Sequence, residues 1–189
     1  MATSPAERIT AERYLAMERA ADFKSEYING RIYAMAGGTA DHSAIAVNVA
    51  AELRAALRLS GCRVFNSDLK IYIPFTNSFV YPDASVICGE VRYKDEARDV
   101  AMNPILVIEV LSASTSNYDR GDKFAHYRSI PTFREYLIIQ QTPLLIEQWA
   151  LIDGCWTLRN EYKNLDDRVQ LISIKGSFAL ADVFDGVAG

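Results

Sequence analysis

Two apolar runs in this chain each contain one acidic residue, and each run is typical of a buried β-strand. Asp83 lies within residues 81–87 (YPDASVI), and Glu109 lies within residues 105–111 (ILVIEVL). Ionised carboxylates are almost never fully buried without a partner, because desolvation is costly unless a cation or several donors compensate. The two acids are 26 residues apart, which leaves room for one strand, a loop and a neighbouring strand. We therefore predict that both carboxylates converge on one shared cation.

The bulk composition limits the fold and the location. A chain of 189 residues that is half apolar suits one domain, spanning 1–189, with a sizeable core. No apolar run approaches the roughly 18 to 20 residues that a membrane span needs, and the N-terminus lacks a signal-peptide pattern. The three cysteines are widely spaced and include no CxxC pair, which predicts neither a disulfide framework nor a zinc knuckle. We expect a soluble, cytoplasmic protein without membrane contact.

The net charge narrows the kind of nucleic-acid contact that the chain can make. The formal charge is −4 and the pI is near 5.2. Broad, nonspecific nucleic-acid binding is typical of strongly basic domains. Any contact with DNA is therefore expected to come from a local patch.

Capping and turn signals predict the order of elements and the fold class. Asn29-Gly30 is a strong hairpin signal, because both central residues of that turn need a positive φ. Thr10, Thr39 and Asp119 are suited to cap helices, the second extending to Gly61 and the third through Arg128. Strands are predicted at 63–73, 80–88, 105–111, 134–139, 145–151, 156–162 and 169–174. This order predicts a mixed α+β fold, in which a central mixed sheet is flanked by helices, with an N-terminal helix and hairpin and a β-rich C-terminus.

The chemistry of the two acids favours a hard divalent cation. Magnesium takes oxygen ligands and usually only one or two protein carboxylates, a number that Asp83 and Glu109 supply. A metal held in this way supports phosphodiester hydrolysis. Lys123 is a candidate for contacting the scissile phosphate, and Glu26 on the first hairpin could complete the acidic cluster. Alternatively, Asp83 ends an edge strand in solvent, and Glu109 is a core carboxylate paired with an arginine or faces water on a half-exposed strand. Glu26 and Lys123 would then be ordinary exposed residues.

Several segments together resemble one protein family. They are residues 81–86 (YPDASV), 103–112 (NPILVIEVLS) and 118–128 (YDRGDKFAHYR), with further matches at 26–33, 37–38 with His42, 67–70 and 130–136. From about Thr10 to about Trp149, the chain resembles the bacterial Uma-two family of restriction-endonuclease-like proteins, which belongs to the PD-(D/E)xK nuclease superfamily. The resemblance implies a restriction endonuclease-like core, dependence on Mg²⁺ or on Mn²⁺ as a substitute, and endonuclease activity on DNA.

The resemblance also implies the roles of individual residues. Asp83 matches the motif aspartate, Glu109 the second acid and Glu26 an acid of the N-terminal region. The superfamily's lysine would fall at Leu111, whereas in the Uma-two pattern it matches Lys123 on the following helix. We expect Asp83, Glu109 and the backbone carbonyl of Val110 to hold the metal.

The missing lysine at position 111 leaves a second hypothesis open. The chain could be a catalytically inactive nuclease-like fold that acts as a DNA-binding or protein-interaction module. The acids at all three candidate positions favour the enzyme. A homodimer would suit an enzyme that cuts both DNA strands, although no residue of the sequence demonstrates one.

Overall fold

The structure is a computed structural model that describes residues 8–112 and 116–187. The remaining parts of the predicted domain, residues 1–7, 113–115 and 188–189, lie outside the described residues. The longer helices are α1 (Ala11–Ala20) and α2 (Ala40–Ala56). A helical segment over 116–127 consists of α3 (Ser116–Tyr118), a π-helical turn (Asp119–Lys123) and α4 (Phe124–Tyr127), and α5 is Leu180–Val183. We call 116–127 the site helix.

The strands fall into three sheets within the described residues. They are β1 (Ser25–Ile28), β2 (Arg31–Ala34), β3 (Cys62–Asn66), β4 (Lys70–Ile73), β5 (Ser78–Val80), β6 (Ala84–Cys88), β7 (Val100–Ala101), β8 (Leu106–Val110), β9 (Glu135–Gln140), β10 (Leu145–Ile152), β11 (Cys155–Tyr162), β12 (Arg168–Gln170) and β13 (Ser177–Ala179). One sheet has the order β2-β1-β5-β4-β7, the second β11-β10-β9-β8-β6-β3, and the third pairs β12 with β13. The first two are mixed, because β4–β7 and β8–β9 pair in parallel and their other pairs are antiparallel.

The mixed α+β class is confirmed, but the strands divide between two larger sheets where one central sheet was predicted. The predicted strand at 63–73 is two strands, β3 and β4, which turn at 67–69 and enter different sheets. The predicted strand at 80–88 is likewise divided between β5 and β6. Asp83 therefore lies just before β6 and not on a strand, and its side chain is 17% exposed.

Local signals placed the N-terminal elements correctly. Thr10 accepts a hydrogen bond from the backbone of Arg13 at the start of α1, and Thr39 accepts one from the backbone of His42 at the start of α2. Asn29 and Gly30 both have positive φ, as the hairpin between β1 and β2 requires. Sequence patterns missed β13 and α5, and they extended the final predicted strand beyond β12.

The central strands of the six-stranded sheet, β6, β8 and β9, are buried on both faces, which explains the apolar run around Glu109. Leu106, Ile108 and Val110 face α2 and the C-terminal segment in one core cluster. Val107 and Leu111 face the other way, into a cluster that includes Phe124 of the site helix. Because side chains alternate along a strand, Glu109 points to the same side as Val107 and Leu111. β8 therefore directs this one carboxylate towards the site helix.

The cysteine prediction was wrong. Cys62 and Cys88 are direct partners across the antiparallel pair β3–β6, and their side chains form a disulfide. The two cysteines are 26 residues apart in the sequence. Their proximity could not be predicted from that spacing, because only the pairing of the two strands brings them together. The cysteines therefore give no support to the cytoplasmic location, which stays a prediction. None of the helices in residues 8–112 and 116–187 is long and apolar enough to cross a membrane.

Candidate active site

A buried ammonium group lies at the centre of the candidate site. Lys123 Nζ is 3.0 Å from Glu109 Oε1, 3.1 Å from Glu26 Oε1 and 3.7 Å from Asp119 Oδ1. These four side chains are nearly inaccessible to solvent, each at most 10% exposed. The stem of Lys123 therefore carries its ammonium group from the site helix to the acids of β1 and β8.

The site helix supplies residues at a spacing that places them on one side. Asp119, Lys123 and Tyr127 follow at intervals of four residues, and the hydroxyl of Tyr127 donates to Glu109 Oε1 at 3.0 Å. The turn from Asp119 to Lys123 is π-helical, a feature often found at functional sites. Leu111, where the superfamily pattern expects a lysine, is buried in the core.

Asp83 joins the cluster through the end of β8. Asp83 Oδ2 accepts a hydrogen bond of 2.7 Å from the backbone N–H of Val110, the residue after Glu109. The side chain of His42, in the first turn of α2, places Nε2 3.5 Å from the same oxygen. Asp83, Glu109, Val110 and Lys123 thus line one cavity of about 560 Å³, together with Glu26 and His42.

A polar network behind the cavity holds the segment that precedes Asp83. The backbone N–H of Tyr81 donates to Glu26 Oε1 at 3.0 Å, and the Tyr81 hydroxyl donates to Glu18 Oε1 at 2.8 Å. Lys70 donates to the Tyr81 hydroxyl at 3.2 Å and pairs with Asp99 at 3.0 Å. Tyr81 is therefore fixed at both ends, which restricts the position of Asp83 two residues later.

Burial and charge set the protonation of the cluster. Burial raises the pKa of Glu109 well above its usual value, and the nearby ammonium of Lys123 opposes that shift. Burial lowers the pKa of Lys123, but Glu109, Glu26 and Asp119 together outweigh it and raise this pKa well above the usual value. Lys123 is consequently charged in the folded protein at neutral pH.

The donor groups of the cavity suit a hard divalent cation. Among the described residues, five with carboxyl side chains, Glu26, Asp83, Glu109, Asp119 and Asp122, line the cavity together with Lys123. Within the parts of the chain that the structure describes, no group of three or more His, Cys, Asp or Glu side chains is arranged to hold a metal ion. Two carboxylates and a carbonyl are nevertheless enough for magnesium, which keeps several waters. The residues present therefore fit this ion.

The structure brings all the predicted site residues to one cavity and adds others that sequence reasoning missed. Asp119 was interpreted only as a helix cap, and Tyr127 was not considered. Their spacing from Lys123, four residues on either side, was the signal that could have found them. His42 appeared in the sequence only as part of the family resemblance, and in the structure its side chain is 18% exposed and lies beside Asp83.

Comparison with known proteins decides the family. A family model described as "Uma2: Putative restriction endonuclease" matches residues 11–180. This chain belongs to the Uma2 family. It is 37% identical over 187 residues to the uncharacterized protein slr1290 of Synechocystis sp. (strain ATCC 27184 / PCC 6803 / Kazusa), covering 98% of this chain and 96% of that protein. A second uncharacterized protein of that strain, sll1609, is 36% identical over 151 residues, or 79% of this chain and 85% of that protein.

A solved structure of a Uma2-like protein has the same fold. It is described as the crystal structure of a "putative nuclease belonging to DUF820" from Anabaena variabilis ATCC 29413. The TM-score is 0.74 at 19% identity, with 93% of this chain and 97% of that chain covered. At this identity the match establishes the fold alone.

Proposed function

We propose that this Uma2 protein is a metal-dependent endonuclease that hydrolyses phosphodiester bonds of DNA. The observation that carries the proposal is the buried ammonium of Lys123, held at 3.0 Å from Glu109 and 3.1 Å from Glu26 in the cavity that Asp83 also lines. A structural ion pair needs one acid for one base, whereas this cavity has an excess of carboxyl groups. Membership in a family described as "Putative restriction endonuclease" supports the same proposal.

Asp83, Glu109 and the backbone carbonyl of Val110 would hold a Mg²⁺ ion, for which Mn²⁺ would substitute. When bound, the ion lowers the pKa of a coordinated water and offsets negative charge on the phosphoryl group. Asp83 is already oriented by the N–H of Val110, so two of the three groups are fixed relative to each other. Preorganisation of this kind keeps the cost of assembling a site low.

Lys123 would contact the reacting groups, and Glu26 would hold Lys123 in position. The ammonium of Lys123 has three donors and can orient the attacking water or bind a phosphoryl oxygen as negative charge develops. Glu26, fixed by the backbone N–H of Tyr81, holds that ammonium in position. Lys123 thereby takes the role of the lysine that Leu111 cannot supply.

DNA is the proposed substrate, and we expect the protein to bind it through few contacts. The net charge of −4 disfavours the broad phosphate neutralisation that drives nonspecific binding. Affinity should come from the metal and from the groups around the cavity. Cutting of both strands would further require two such sites, which a two-fold dimer provides.

Cleavage of supercoiled plasmid DNA in Mg²⁺ or Mn²⁺ tests the proposal, with nicked and linear products separated on a gel. Asp83→Ala, Glu109→Ala and Lys123→Ala should each lower the rate by about 100-fold or more, as loss of a transition-state contact does. Glu96→Ala, which removes one exposed acid from the loop before β7, should cleave like the wild type.

Two results would count against the proposed endonuclease activity. Cleavage that persists in both Asp83→Ala and Glu109→Ala would refute the assignment of the site. Wild-type protein that binds DNA but neither binds the metal nor cleaves would favour the inactive binding module, for which the apolar Leu111 is the supporting observation.

A further inference from the structure

His42, Asp83 and Val110 are linked by two contacts at the edge of the cavity. His42 Nε2 lies 3.5 Å from Asp83 Oδ2, and that oxygen accepts a hydrogen bond from the backbone N–H of Val110 at 2.7 Å. The side chains of His42 and Asp83 are only 18% and 17% exposed, so this contact is largely shielded from solvent. The imidazole therefore lies against the acid of the proposed metal site that is also bound to the end of β8.

The imidazole of His42 packs closely against Gly38, which precedes α2. A Cβ atom added to Gly38 would lie 2.8 Å from His42 Nδ1, closer than real Cβ contacts occur, and 3.0 Å from its Cγ. A Cβ atom added to the preceding Gly37 would meet nothing within 4 Å. Neither glycine has a φ in the left-handed region, so alanine is sterically allowed by the backbone at both. Gly38 is thus required by the imidazole and not by the turn.

We propose that His42 is a positioning residue of this site, which holds the Asp83 carboxylate in place at the end of β8, and that Gly38 leaves the space that its imidazole needs. The inference rests on the proposed function, because Asp83 is one of the groups assigned to the metal. Contacts that orient a metal ligand typically change metal affinity by 10- to 100-fold when they are removed.

Calorimetric titration of the purified protein with Mn²⁺ tests this role without any measurement of activity. His42→Ala should weaken Mn²⁺ binding by about 10-fold or more, and Gly38→Ala should do the same by displacing the ring. His42→Gln, whose side-chain amide can still donate to an oxygen, should bind more tightly than His42→Ala. Gly37→Ala is the matched control and should bind like the wild type.

The outcomes separate the two proposals. If His42→Ala and Gly38→Ala bind Mn²⁺ with wild-type affinity, or more tightly, the positioning role is overturned while the proposed function stands. If the wild type does not bind Mn²⁺, both the proposed function and this inference are refuted. Circular dichroism shows whether each variant is folded. If His42→Ala does not fold, the Mn²⁺ affinity of Gly38→Ala compared with that of Gly37→Ala tests the positioning role by itself.

Discussion

Replacing Lys123 by methionine should destabilise the folded protein strongly. The change keeps the length of the side chain but leaves Glu26, Glu109 and Asp119 buried around a site that has lost its ammonium. Removing one partner from a buried ion pair typically costs 3–5 kcal/mol, because the remaining charge is uncompensated. Burial already raises the pKa of Glu109, so part of the cost is avoided by protonation of this acid. We therefore expect a loss of about 3 kcal/mol in the free energy of unfolding at pH 7.

Urea unfolding in the presence of a chelator measures this loss without a metal ion to replace the ammonium. Lys163→Met is the matched control, because Lys163 pairs with Glu161 at 3.2 Å while both side chains are exposed, 57% and 42%. Exposed pairs contribute little, so this control should lose less than about 1 kcal/mol. Adding Glu109→Gln to Lys123→Met should recover part of the stability, because it removes one of the uncompensated charges.

The pH dependence has a defined sign. A carboxyl group whose pKa is higher in the folded than in the unfolded protein binds a proton more tightly in the folded state. Its ionisation therefore destabilises the fold increasingly as pH rises above the pKa of the group in the unfolded protein. The penalty of Lys123→Met should accordingly be smaller at pH 5 than at pH 7. A loss below 1 kcal/mol, or a penalty that is the same at both pH values, would refute the account of Lys123 as the compensating charge of a buried acidic cluster.

Three further predictions concern stability. Hydrogen bonds from Arg19 lower the pKa of Asp99 from 3.8 to about 2, so Asp99→Asn should cost about 1 kcal/mol in urea unfolding at pH 7, and the difference should vanish as pH falls below 3.8 towards 2. Reduction of Cys62–Cys88, which closes a separation of 26 residues, should lower the free energy of unfolding by about 3 kcal/mol, and unfolding curves that coincide with and without reductant would contradict this. Gly121→Ala adds a Cβ that meets nothing within 4 Å, so a gain of about 0.5–1 kcal/mol is expected, and a loss would mean that the π-helical turn needs glycine.

Local signals were sufficient for the N-terminal elements because their causes lie within a few residues. Thr10 and Thr39 cap helices through the N–H group three residues later, and Asn29-Gly30 forms the turn between neighbouring strands. No distant contact has to form for these features. The buried strand around Glu109 could be predicted for a similar reason, since its apolar neighbours report burial on both faces.

The assignment of strands to sheets could not be read from the sequence. The run from 63 to 73 contains the turn-forming residues Asn66, Ser67 and Asp68, but nothing in the sequence shows that its two halves pair with partners in different sheets. The same applies to Cys62 and Cys88, which meet only because β3 pairs with β6 in one register. Such pairings depend on long-range packing, which strand propensity does not report.

The acids of the candidate site could be identified from the sequence, whereas the contacts between its residues could not. Asp83 and Glu109 were unusual in their apolar surroundings, which is a property of the sequence itself. The contact of His42 with Asp83 could not be predicted, because it joins residues 41 positions apart in the sequence. Asp119 lies four residues before Lys123, but the sequence does not show that Lys123 meets the acids of β1 and β8 at this point.

The central claim is that Asp83 and Glu109 belong to a metal site beside Lys123. A crystal of the wild-type protein soaked in Mn²⁺ tests it directly, through the anomalous difference density of the ion. We expect a peak within coordination distance of the carboxylates of Asp83 and Glu109 and of the carbonyl of Val110, and no peak in Asp83→Ala crystals soaked in the same way. A well-ordered cavity without a peak, in which Lys123 keeps its contacts with Glu26 and Glu109, would contradict the claim.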